Sequence, residues 1–467
     1  MAAFFGADEI WTRDSESEKG ERVILAGVWI SKGEEFLSEE DFEHSLDELS
    51  ELAKACGMEP AGTVTQKLPL PDQSLYVREG KAEEIRLFAD ELGAERVIFN
   101  DTLSPSQLRN LQKVVKLPVT DRTRLILEIF EKRARTREAK LQVELAKLGY
   151  LKPRLIGLWE TQNRQGGASG SMSSKGEGET QLEIDRRTID HRLTELRKEL
   201  KQVSRERETQ KKKRKASRLP LVSLIGYTNA GKSTILNEMI KRWGADEDAE
   251  KRKVFEADML FATLDTTVRK IEPERGRGFL LSDTVGFIHR LPTSLVEAFH
   301  STLEEAKEAD LLVQVVDSSD PYCKDHIRVT TETVRELGAS HIPMITVYNK
   351  SDLKDSSAIY PRRGMREENI DGVQNEIIYI SAKEPGSIEM LTQVILEKLE
   401  ADYLERNYII PYDKGDVLAF LMGNAKVEIL EYLAEGTSVK VRCSEAVARK
   451  AETSCGFRLK NPVPHSD

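Results

Sequence analysis

The chain has 467 residues, 39% hydrophobic and 32% charged, with a formal net charge of -10; that length exceeds what one hydrophobic core organises and predicts about three domains. No apolar run reaches the roughly 18 residues of a membrane span, and the acidic start MAAFFGADEIWTRDSE lacks the basic segment of a signal peptide. The four scattered cysteines (Cys56, Cys323, Cys443, Cys455) form no CxxC pair, which argues against a disulfide framework or zinc site and fits a reducing cytoplasm.

Residues 21–120, within an N-terminal part taken as 1–120, alternate strand-like and helix-like signals. RVILAGVWI and ERVIFND read as buried strands and Phe42–Cys56 as an amphipathic helix, which predicts an N-terminal α/β subdomain. Residues 121–218 read as a helical hairpin. Its first arm, from DRTRLILEIF onward, has no Gly or Pro before Gly149 and reads as one helix, with Leu127, Phe130, Ala134, Leu141, Leu145 and Leu148 on one stripe. Its second arm places Ile189, Leu193, Leu196, Leu200 and Val203 at spacings of four and three, a coiled-coil seam. Between the arms lies RQGGASGSMSSKGEGETQLE. Gly-rich loops can cradle phosphates, but this one follows no buried strand and does not end in Gly-Lys-Ser/Thr, so it reads as the tip of the hairpin. Between Arg186 and Arg218, 14 Arg/Lys stand against 5 Asp/Glu. A basic arm on an acidic chain suggests a directed contact with a polyanion.

Residues 219–402 carry the decisive motifs. The apolar strand Val222–Ile225 runs into Gly226-Tyr227-Thr228-Asn229-Ala230-Gly231-Lys232-Ser233, followed by Thr234 and an amphipathic helix, which matches G-x-x-x-x-G-K-S in its required context. The glycines let backbone N–H groups face phosphates, Lys232 brings a cation to the β/γ oxygens, and the Ser233 hydroxyl is a Mg²⁺ ligand. GFLLSDTVG ends a strand in Asp283-Thr284-Val285-Gly286, placing a carboxylate for Mg²⁺ and the Gly286 N–H for the γ-phosphate. IPMITVYNKSD ends a strand in Asn349-Lys350-Ser351-Asp352, and IIYISAKE supplies Ser381-Ala382-Lys383. Asp352 can accept from guanine N1–H and the N2 amine together, a donor pair adenine lacks. The order of these motifs predicts a P-loop GTPase domain. MLFATLDTTVRK lies where a GTPase needs a Thr that senses Mg²⁺ and γ-phosphate, with Thr263, Thr266 and Thr267 as candidates. Phe287 stands where many GTPases place a water-orienting Gln, so slow intrinsic hydrolysis or a group supplied by a partner is expected. Asn229 can help bind a K⁺ ion. Residues 403–467 read as a small α+β domain, with Val417–Gly423 helical and Val427–Leu433 and Ser438–Cys443 as paired strands.

From about Leu68 onward the chain resembles the HflX family of translation-associated GTPases. The resemblance rests on VREGKAEEI (Val77–Ile85), SPSQLRNLQ (Ser104–Gln112), Asp121–Leu155, GEGETQLEIDRR (Gly176–Arg187), GYTNAGKST, FATLD and DTVGFI. It implies an α/β subdomain, an antiparallel helical hairpin, a P-loop GTPase domain and a small C-terminal domain. It also implies GTP-favoured binding to the large ribosomal subunit, with separation of subunits under stress in some members. Within FATLD (Phe261, Ala262, Thr263, Leu264, Asp265) it makes Thr263 the Mg²⁺ and γ-phosphate ligand, so Lys232, Thr263 and Gly286 form the expected catalytic set. It sends the hairpin tip toward ribosomal RNA, with Lys175, Lys211, Lys212, Lys213, Arg214 and Lys215 as expected contacts. Three departures stand out: Gly176-Glu177-Gly178-Glu179 where the family has G-P-G-E, a longer tip loop, and Thr266 where Pro follows FATLD. The alternative reading is a GTPase that regulates a protein partner through its coiled-coil hairpin, without RNA. In either reading the chain is expected to be a monomer without membrane attachment.

Overall fold

A computed structural model describes residues 20–32, 38–165, 175–216, 219–244, 261, 267–274, 278–288, 306–354, 360–364, 367–368, 374–384, 386–401, 403–443 and 445–455. The chain divides into two compact units: residues 1–204 with 258–264 and 289–300, and residues 205–257, 265–288 and 301–467.

The first unit holds β1 (Glu21–Ile30), α1 (Glu39–Ala55), β2 (Met58–Leu68), α2 (Glu79–Leu92), β3 (Arg96–Phe99), α3 (Pro105–Val115) and β4 (Val119–Asp121). The strands form a parallel sheet in the order β2-β1-β3-β4. Its core includes Ile24, Val28, Ile85, Val97, Phe99 and Leu111. Strand β2 is absent from the sequence reading because Pro60 and Gly62 break its pattern. It is an edge strand, where Pro is tolerated, and its register with β1 slips between Val23 and Ile24, pairing them with Pro60 and Gly62. A Cβ on Gly62 would lie 2.6 Å from the Phe88 ring, so this glycine lets α2 approach.

The first hairpin arm is two helices, not one: α4 (Arg122–Arg133) and α5 (Arg137–Gln165). Ala134 turns to extended backbone at ψ 109, and the Thr136 hydroxyl accepts from Ala139 N at 3.1 Å, opening α5. Apolar periodicity continues across this break, which is why composition hides it. The second arm is α6 (Lys175–Ala216). It runs antiparallel to α5, as the cross-helix pairs Arg192–Glu144 (2.8 Å) and Arg137–Glu199 (3.5 Å) require. Ile189, Leu193 and Leu196 of the seam are buried within the chain. Gly176 and Gly178 fall inside α6, so the connection is narrower than the Gly-rich stretch, and residues 166–174 lie outside the described ones.

The second unit contains β5 (Leu221–Gly226), α7 (Lys232–Trp243), β6 (Thr267–Ile271), β7 (Phe279–Asp283), β8 (Leu311–Asp317), α8 (Cys323–Glu336), β9 (Met344–Asn349), α9 (Ser351–Lys354), β10 (Arg362–Arg363), β11 (Glu367–Glu368), β12 (Gln374–Tyr379) and α10 (Ser387–Leu399). The sheet order is β10-β12-β9-β8-β5-β7-β6, with β11 beside β12. Strands β7, β5, β8, β9 and β12 run parallel, so their carboxyl ends share one edge. That edge is where open α/β sheets bind ligands. The same unit ends in β13 (Leu404–Ile410), α11 (Gly415–Asn424), β14 (Lys426–Leu433), β15 (Gly436–Cys443) and α12 (Glu445–Cys455), an antiparallel sheet ordered β13-β15-β14 under two helices. Strand β13 and helix α12 extend the expected small α+β domain. Among the described residues, no helix is long and apolar enough to cross a membrane.

Candidate active site

Strand β5 is buried from Val222 to Gly226 and delivers the chain into the phosphate-loop motif. Gly226 has φ 140, and a Cβ there would lie 2.2 Å from the Val315 carbonyl oxygen. Gly231 has φ 95, and its Cβ would lie 2.2 Å from Asn349 Nδ2. Only glycine fits either place. Asn229 is exposed and takes φ 59, a conformation its short side chain tolerates. Ala230 is buried, and α7 begins at Lys232, so the loop ends on a helix N-terminus suited to anions.

Lys232 is 6% exposed, and its Nζ donates to the carbonyls of Gly226 (3.0 Å) and Tyr227 (2.6 Å). Burial lowers its pKa to about 8, against the opposing pull of the Asp283 carboxylate. A buried cation on two carbonyls, in the field of one acid, is matched to an incoming polyphosphate. Ser233 Oγ donates to Asp283 Oδ2 at 2.6 Å, and Asp283 is fully buried at the end of β7. These are two hard oxygen donors side by side, the chemistry Mg²⁺ accepts with few protein ligands. Thr234 is half-buried in the first turn of α7.

The loop after Asp283 lies directly on the phosphate loop. Thr284 Oγ1 donates to the Leu224 carbonyl at 2.7 Å, and Val285 is buried. Phe287 N donates to Gly226 O at 3.1 Å, and Thr228 N donates to Phe287 O at 2.9 Å. A Cβ on Gly286 would meet Thr228 Cγ2 at 2.7 Å, so that position admits glycine alone. The Phe287 side chain is buried.

At the far end of the edge, Asn349 Nδ2 donates to Ala230 O at 3.0 Å, while its Oδ1 accepts from Ala382 N at 3.0 Å. This one side chain ties the phosphate loop to the Ser381-Ala382-Lys383 turn. Ser381 is buried and Lys383 exposed. Lys350 takes φ 57, and its Nζ lies 2.7 Å from Asp317 Oδ2. Ser351 Oγ donates to Tyr348 O at 2.9 Å, and Asp352 sits half-buried in α9. Asp317 and Ser318 escaped the sequence reading. Ser318 N donates to Asn349 O at 2.9 Å, and its Oγ donates to Ser351 Oγ at 3.3 Å. The signal was available: LLVQVVDSS is an apolar strand ending in an acid.

Some expected residues are not gathered here. Phe261 belongs to the first unit, where it packs edge-on against Phe130 with ring centroids 4.8 Å apart. Ala262, Thr263, Leu264 and Asp265 lie outside the described residues, as does Thr266. Lys175, Lys211, Lys212, Lys213, Arg214 and Lys215 belong to the α6 backbone, and their side chains lie outside the described ones.

Three family models match in succession: GTP-binding GTPase N-terminal over residues 43–131, GTP-binding GTPase middle region over 133–214, and 50S ribosome-binding GTPase over 221–350. The chain is 40% identical over 458 residues to GTPase HflX of Caldanaerobacter subterraneus subsp. tengcongensis, covering 97% of each chain. It is 36% identical over 425 residues to GTPase HflX of Escherichia coli, covering 91% of this chain and 93% of that one. A crystal structure of a GTP-binding protein from Sulfolobus solfataricus in complex with GDP is 24% identical and covers 82% of this chain and 99% of that one. Its TM-score of 0.41 carries no further argument. Near-full-length identity, joined to a phosphate loop, a Ser–Asp oxygen pair and an Asn-Lys-x-Asp turn on one sheet edge, places this chain in the HflX family of GTPases.

Proposed function

We propose that the chain is a GTP-driven switch that binds the large ribosomal subunit through its helical hairpin. The observation that carries the nucleotide part is Asn349, one side chain bonded to both the phosphate loop and the Ser381–Lys383 turn. Residues 226–234 bind the phosphates, with Lys232 moving from its carbonyl partners onto the β/γ oxygens. Asp352 reads guanine, Ser381–Lys383 support it, and Asn349, Lys350 and Ser351 hold these parts in register. Ser233 and Thr263 would hold Mg²⁺, with Asp283 accepting from the Ser233 hydroxyl, and the ion would supply charge neutralisation to the bound phosphates. Gly286 presents its N–H to the γ-phosphate, and Phe261–Asp265 form the first switch. Asn229 is the residue placed to help hold K⁺. The functional parts are residues 1–120, 121–218, 219–402 and 403–467.

Phe287 is buried and cannot orient a water, so the free protein hydrolyses GTP slowly and the large subunit completes the site. Order in the two switches sets the hairpin for engagement, and hydrolysis releases it. The resemblance implies separation of subunits under stress for some members of the family, and this chain is proposed to share that capacity. Lys175 and Lys211–Lys215 contact rRNA phosphates, which makes binding fall with salt. The coiled-coil alternative is not favoured, because Ile189, Leu193 and Leu196 are already buried within the chain and leave little seam for a partner helix. The test is steady-state GTP hydrolysis with large subunits before and after nuclease digestion. Stimulation lost on digestion supports the proposal, and stimulation that survives digestion points to a protein partner.

A further inference from the structure

Tyr227, the second residue of the phosphate loop, connects that loop to a group outside every motif. The residue is 6% exposed, and its ring lies flat on the imidazole of His326, in the first turns of α8, with centroids 3.7 Å apart and planes 10° from parallel. Its own carbonyl accepts Lys232 Nζ at 2.6 Å. His326 is equally buried, and its Nδ1 lies 3.8 Å from Asp320 Oδ2. Asp320 is held in turn by the Tyr322 N–H on its Oδ1 at 2.8 Å. One line of contacts therefore runs from the turn after β8, through two stacked rings, to the carbonyl that holds the phosphate-loop cation.

We propose that His326 is a positioning residue for nucleotide binding, acting through Tyr227. The loop carries left-handed backbone at Asn229 and Gly231, which those residue types allow but do not by themselves fix in one conformation. The flat imidazole face fixes the Tyr227 ring, hence the Tyr227 peptide, hence the resting place of the Lys232 ammonium before phosphate arrives. Preorganisation of this kind is read in affinity, because a loose loop must be ordered by the ligand. The inference rests on residues 226–233 being the nucleotide site.

The test is GDP titration of the full chain, with melting temperature measured alongside so that general loss of folding is separated. His326→Leu keeps a buried apolar group but removes the ring, and weakens GDP binding about three- to tenfold, the range of an aromatic stack. His326→Phe restores the flat face and returns affinity to within about twofold of wild type. Tyr227→Leu repeats the loss from the other ring. The double Leu variant loses no more than the weaker single, as one shared interaction requires. Wild-type affinity in His326→Leu, equal losses in the Leu and Phe variants, or additive losses in the double would each overturn the inference. If His326→Leu does not fold, His326→Met, also without a ring, takes its place against His326→Phe by the same criterion. A wild-type chain that bound no GDP would instead overturn the reading of the loop itself.

Discussion

In the proposed site, base choice turns on Asp352. A carboxylate accepts from two donors of guanine at once, and hydrogen bonds to a charged group contribute about 1.5–3 kcal/mol each. Asp352→Asn replaces one acceptor with a donor, so GTP affinity falls about tenfold or more while xanthosine triphosphate, with a carbonyl in place of the 2-amine, binds better. Competitive titration of the two nucleotides checks this, and unchanged preference would remove Asp352 from the base site. Gly231→Ala drives a methyl into Asn349 Nδ2 at a backbone angle alanine avoids. It should break the bond to Ala230 and abolish measurable GDP binding while far-UV circular dichroism stays unchanged. That these positions share one sheet edge was legible because phosphate and guanine chemistry, as proposed for them, fix both residue type and spacing. Asp317, Ser318 and His326 were not, since their roles exist only through partners distant in sequence: Lys350, Ser351 and Tyr227.

At the scale of elements, Asp121 governs how the hairpin begins. Its buried carboxylate caps α4 through Arg124 N (2.9 Å) and accepts from Leu103 N (3.1 Å), the Tyr150 hydroxyl (2.9 Å) and Arg154 Nη2 (3.0 Å). Burial first, and then the Asp121 charge, hold the Tyr150 phenol firmly protonated. Asp121→Ala leaves these donors and the largely buried Arg154 guanidinium without their acceptor, at a cost of about 3–5 kcal/mol. A urea midpoint equal to wild type would show that the joint contributes nothing. The apolar stripes of α5 and α6 were readable because a helix face repeats at 3.6 residues. The break at Ala134–Thr136 was not, because a hydroxyl cap needs no glycine or proline to mark it. Strand β2 was missed for the opposite reason: it contains both, and only its edge position and the approach of α2 make them acceptable.

For the whole molecule, the domain order was legible from motif order, since a parallel sheet ending in successive nucleotide motifs leaves few arrangements. The small C-terminal sheet was half read. Strand β13 exposes Glu405 and Asn407 in its first half, buries only Tyr408 and Ile410 and ends before Pro411, so it resembles a linker until β15 pairs with it. An acidic chain with a basic arm should bind a polyanion through that arm alone. Replacing Lys211, Lys212, Lys213, Arg214 and Lys215 with Gln should therefore flatten the salt dependence of large-subunit binding without changing GDP affinity. An unchanged salt slope would assign those residues to a linker. The most direct test of the central claim is sedimentation of the purified chain with ribosomal subunits, comparing a non-hydrolysable GTP analogue with GDP at two salt concentrations. Co-migration with the large subunit is expected in the GTP-like state, weakened by salt and lost with GDP. Absence of co-migration in both states would contradict it.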